Sequence, residues 1–88
     1  MKVENLINNN GNKVANQFIL SDDNGNKFFQ SYESIICKVD RNGKVTLDSF
    51  YWDYSVTTSR HRNNFLNTST KEIKAKIESG EYKLANIN

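Results

Sequence analysis

The chain has 88 residues, a net charge of +2, one cysteine and no proline. That length suits one domain over residues 1–88 with a modest core, and a lone Cys37 excludes an intramolecular disulfide and points to a reducing, cytoplasmic setting. The charge is too small to demand a nucleic-acid partner; no apolar run reaches the roughly 18 residues of a membrane span, and residues 1–10 lack the apolar core of a secretion signal.

In chain order, residues 2–9, KVENLINN, place Val3, Leu6 and Ile7 at helical spacing and predict a short helix that depends on docking. Asn8–Asn12 breaks it, with Gly11 the residue suited to positive φ. Val14–Ser21 alternates, with Val14, Phe18 and Leu20 on one face and Ala15, Gln17 and Ile19 on the other, Asn16 being the exception; this reads as a strand. Asn24-Gly25 is a hairpin turn, and Lys27–Tyr32 the returning strand. Ser34–Asp40 is a third strand, with Ile35, Cys37 and Val39 facing one way. Asn42-Gly43 is a second hairpin turn, and Lys44–Asp48 the fourth strand, Val45 and Leu47 inward. Ser55 caps a helix running to about Leu66, made reluctant by Val56, Thr57 and Thr58. Ser69 and Glu72 fit the S-x-x-E capping box of a second helix, whose Ile73 and Ile77 share a stripe and whose end is marked by Gly80. Glu81–Ile87 completes the chain as a possible fifth strand, Tyr82 and Leu84 on one face. The expected class is α+β: an antiparallel meander of about four strands with two helices packed on one face.

Residues 48–67, DSFYWDYSVTTSRHRNNFLN, hold the only Trp, the only His and two of the three Arg. Alternation assigns Phe50 and Trp52 to the core and Tyr51 to the surface. His61 and Cys37 are too few for a structural zinc site, so no metal, cofactor or catalytic residue is expected. His61 is read as solvent-exposed, and Cys37, in phase with Ile35 and Val39, as a small buried hydrophobe. From Ser55 to Ile77 there are five basic residues and one acid, a local charge of +4. Beside the aromatic residues, this face suits either a protein contact, where Tyr, Trp and Arg are enriched, or nucleic acid. The candidate partner-binding residues are Tyr51, Tyr54, Arg60, His61, Lys71 and Lys74. Arg60 and Arg62 point about 200° apart on a helix. Phe65 and Leu66 turn inward, so Arg60 faces outward and Arg62 lies at the edge of the buried side, paired with a carboxylate such as Asp53.

Asn supplies 14 of the residues, a bias that AT-rich codons produce and that points to a low-GC bacterium or its phage. The segments Phe29-Gln30-Ser31-Tyr32, Tyr51-Trp52-Asp53-Tyr54-Ser55, Thr58–Phe65 and Ser79-Gly80-Glu81-Tyr82-Lys83-Leu84 resemble a family of short proteins encoded by phages and mobile elements of low-GC bacteria. The resemblance implies no catalytic residues. It implies a context in which stand-alone proteins inhibit host antiviral systems, anti-CRISPR proteins among them. The expected function is therefore a non-enzymatic inhibitor that contacts a bacterial protein target such as a CRISPR effector. The alternative is a nucleic-acid-binding accessory protein using Arg60, Arg62, Lys71, Lys74 and Lys76.

Overall fold

A computed structural model describes all residues, Met1–Asn88. The chain forms β1 (Lys2–Ile7), β2 (Lys13–Ser21), β3 (Lys27–Ser31), β4 (Ser34–Val39) and β5 (Val45–Asp48), then α1 (Val56–Leu66), α2 (Thr70–Ser79) and β6 (Lys83–Ala85). All six strands lie in one sheet in chain order. Neighbours are antiparallel as far as β5, and β6 returns parallel to β5. The class is α+β, as expected; the meander has one strand more, β1, and the expected C-terminal strand is present as β6, shorter and parallel to β5.

Three turns of one kind set the meander's register. The side chain of Asp22 accepts from the amides of Asn24 and Asn26, each at 2.9 Å. Asp40 does the same for Asn42 and Lys44, and Asn8 for Asn10 and Asn12. Such Asx turns fold the chain back on itself. Gly25 is required twice over: its φ is +84°, and a Cβ there would lie 2.9 Å from Cβ of Arg41. The third turn corrects the expected helix over residues 2–9. With Asn8 reversing the chain, residues 2–7 reach β2 and gain a ladder of backbone hydrogen bonds, which one and a half helical turns cannot match.

Cross-strand pairing assembles the core row Ile19–Phe29–Cys37–Leu47–Leu84. Phe29, Cys37 and Leu47 are fully buried, while Leu84 stays 45% exposed at the sheet edge. In β2 the residues toward this core are Gln17 and Ile19; Phe18 and Leu20 take the opposite face. A bulge pairs Phe29 with Cys37 but Gln30 with Ile35, so Ile36 is an extra residue. Ile36 and Cys37 are both buried, which breaks the expected alternation of Ile35, Cys37 and Val39.

The helices start and stop where the sequence says. Ser55 accepts from the Thr58 amide at 3.1 Å, and Ser69 from the Glu72 amide at 3.2 Å. Glu72 does not close the expected capping box; its carboxylate takes the Thr68 hydroxyl at 2.7 Å. Gly80 ends α2 in the left-handed region. Phe65 of α1 stacks on Phe29, the ring centroids 5.9 Å apart, and the Thr58 hydroxyl lies 3.4 Å from that of Ser31. Ile73 of α2 is fully buried in the same cluster, with Ile77 packed against it. Both helices thus cover the face that carries Phe29 and Ser31.

Candidate protein-contact surface

The loop between β5 and α1, residues 49–55, is fastened at both ends by a buried charge. At its start, Asp48 is 1% exposed. Its Oδ2 accepts from the amides of Phe50 at 3.0 Å and Tyr51 at 2.8 Å, and its Oδ1 from that of Ile87 at 3.1 Å. Burial by itself would raise the pKa of this carboxyl. The amide donors, with help from Asn88, outweigh burial and hold it below its ordinary value.

At the other end, Arg62 reaches under the loop from α1 and is fully buried. Its guanidinium donates to the Trp52 carbonyl, to the Asp53 carboxylate at 3.2 Å, to Asn63 Oδ1 at 3.2 and 3.0 Å, and to Thr70 Oγ1 at 2.9 Å. It also lies 5.3 Å from the centre of the Trp52 ring. The expected pairing with Asp53 is present, but Arg62 sits inside the protein and not at its edge. A planar fork with five donors is what allows one side chain to join the loop, α1 and α2.

Held this way, the loop displays an aromatic ridge. Phe50 meets Tyr51 edge-on at 4.8 Å between centroids, and Tyr51 meets Tyr54 at 5.5 Å. Phe50 is 73% exposed and Tyr54 49%. Tyr51, half-buried, leans on the core. Beside Tyr54 is an open cleft of ≈ 420 Å³ lined by Asp53, Tyr54, Val56, Ser59, Arg60 and Thr70, among others. Val56, on its rim, is 75% exposed.

Two expectations about the rings are therefore reversed: Phe50 is a surface residue and Tyr51 the one that packs inward. Trp52 is only half-buried, its ring covered by Arg62. The physical reason is that strand alternation ends at Asp48, where its carboxylate bends the chain into a turn. An Asp followed by Ser at a strand end was the available signal.

Among the candidate residues, Tyr54 and Arg60 meet at the cleft and Tyr51 supports the ridge. His61 is half-buried and not solvent-exposed; burial, then the charge of Arg60, lowers its pKa. Lys71 and Lys74 are exposed on α2 and do not line the cleft. Lys76 is tied to Glu81 at 3.6 Å and lies over the Tyr82 ring. Phe50, exposed on the ridge, and Val56, on the cleft rim, are not among the residues that the sequence points to.

Cys37 has its thiol pushed up to about 12, chiefly by burial. A thiol in that state is unreactive. Native protein is expected to resist a thiol-labelling reagent near neutral pH, and denatured protein to take up one equivalent. Rapid labelling of the native protein would show that the core opens.

A family model matches residues 1–81, nearly the whole chain. The chain belongs to the DUF8033 family. This family is described as one of unknown function, so membership assigns no activity. The DUF8033 match takes in the Asp48 turn, the ridge and Arg62, and stops short of β6. No curated protein and no solved structure matches the chain. No helix is long and apolar enough to cross a membrane.

Proposed function

We propose that this DUF8033 protein acts by binding and not by catalysis, holding a bacterial protein target through Phe50, Tyr51, Tyr54 and Arg60. The observation that carries the reading is the Phe50–Tyr51–Tyr54 ridge, with two of its rings in solvent and its backbone fixed by Asp48 and Arg62. Rigid aromatic groups beside an arginine and a cleft are the usual anchors of protein interfaces, because they offer large contact area with little conformational entropy to lose. The resemblance to phage and mobile-element proteins extends the proposal to a target class: a component of a bacterial antiviral system, such as a CRISPR effector. Protein is preferred to nucleic acid because Arg62, one of the five cations in the region, is buried and already paired.

The test is a plasmid-interference assay in a host with an active immune system, paired with target co-purification. The parent protein should protect the plasmid and retain the target. Tyr54→Ala and Arg60→Ala should each lose protection while their melting temperatures stay within a few degrees of the parent, since exposed changes shift stability by only about 0.5 kcal/mol. Absence of protection against every system tried would remove the inhibitor reading. A gel shift with DNA or RNA that fades steeply with salt would replace it with the nucleic-acid alternative.

A further inference from the structure

β1 is the last strand on its side of the sheet and pairs only with β2. Hydrogen-bond parity shows which of its backbone groups are free. The Asp22 amide donates to the Asn26 carbonyl, and the Tyr32 amide to the Asn16 carbonyl. From Asn16 to Asp22, even-numbered residues therefore direct their backbone groups toward β3. Directions alternate along an antiparallel strand, so Ile19 and Ser21 direct theirs toward β1, where their partners are Glu4 and Lys2. Val3 and Asn5 are left with N–H and C=O facing the open edge. An edge of this kind templates pairing with another strand.

We propose that the strand completing this edge is β1 of a second copy of the chain, antiparallel, with the twofold axis at Val3. Charge selects this register. Lys2 and Glu4 project from the same side of β1, their charged atoms 2.9 Å apart and both side chains largely exposed. With the axis at Val3, each Lys2 falls opposite Glu4 of the other copy, giving two symmetric cross-strand ion pairs. An axis at Lys2 or at Glu4 would set like charges face to face, which is destabilising. Hydrogen bonding agrees with the choice: the outward groups of Val3 meet those of its own counterpart, and those of Asn5 meet Met1. Apolar continuity agrees as well. Val3, 60% exposed, pairs with Leu20 and Leu20 with Phe28 on the face away from the helices. The axis carries that apolar row unbroken from one copy into the other. The result is a sheet of doubled width with all helices on one side.

Sedimentation equilibrium of the full chain, from micromolar to millimolar protein, tests this. The parent is expected to show a concentration-dependent monomer–dimer equilibrium that weakens at high salt. Lys2→Glu and Glu4→Lys should each raise the dissociation constant about tenfold or more, because two attractive pairs become repulsive. The double variant K2E/E4K should return to the parent value. Circular dichroism melts at low concentration check that each variant folds, and recovery in the double variant separates pairing from misfolding. A parent that stays monomeric throughout would overturn the proposal. So would a dimer indifferent to both single reversals, or a double variant that fails to recover.

Discussion

Arg62→Ala is expected to destabilise the protein by about 3–5 kcal/mol, the range for removing one partner of a buried charged network. The change strips donors from the Trp52 carbonyl, the Asp53 carboxylate, Asn63 and Thr70. It also leaves a cavity beneath Trp52. Domains of this size have only about 5–15 kcal/mol in total, so the melting temperature should fall by on the order of 15 °C or more. Arg62→Lys should recover only part of the loss, because an ammonium is a point charge without the fork that spans α1, α2 and the loop. Arg60→Ala, two residues away and exposed, is the internal control and should melt like the parent. Coincident melts for the two alanine variants would show that the guanidinium network contributes nothing.

Asp48→Ala is expected to cost about 3 kcal/mol. It orphans the amides of Phe50, Tyr51 and Ile87, and each buried donor left unsatisfied costs roughly 1–3 kcal/mol, some of it recovered where water reaches the loop. Asp48→Asn should be intermediate, since the amide keeps one accepting oxygen. The parent's pH dependence has a definite sign. The folded pKa of Asp48 lies below its ordinary value, so its contribution is fully present above the ordinary carboxylate value of roughly 4. It is lost as pH falls from there through the folded pKa. Denaturant melts of the parent and Asp48→Asn should therefore differ at neutral pH and converge in strong acid. A difference that persists unchanged into strong acid would show that the charge of Asp48 is not what holds the loop.

How far the sequence could be read depended on whether the deciding interaction was local. Asn24-Gly25 and Asn42-Gly43 announced their hairpins, and Ser55, Ser69 and Gly80 marked helix ends, because turns and caps are made by residues within a few positions of each other. The pairing of Arg62 with Asp53 was legible from helical geometry and charge. Residues 2–9 mislead because Val3, Leu6 and Ile7 satisfy a helical stripe over so short a run, and only the partner strand β2 decides against it. The faces of β2 were ambiguous for another reason: Phe18, Ile19 and Leu20 are consecutive apolar residues, so alternation selects neither side. Ile36 gave no sign that it would be the residue of a bulge. In the candidate surface, Tyr54 and Arg60 were found from composition. Strand alternation puts Phe50 inside only if it continues past Asp48, the residue whose side chain ends the strand.

The parallel pairing of β6 with β5 separates two kinds of folding event. Every strand up to β5 meets a neighbour through a short reversal, and such hairpins close within microseconds. Thr46 meets Lys83, and Asp48 meets Ala85, across a connection that contains both helices. Among the strand pairings this one is the most distant in sequence and carries the largest loop-closure entropy. The third amide held by Asp48, that of Ile87, lies beyond this crossover. So the turn that displays the aromatic ridge is half assembled by the meander and completed only when the crossover docks. A chain whose meander is in place but whose crossover is undocked would present the ridge without its full support.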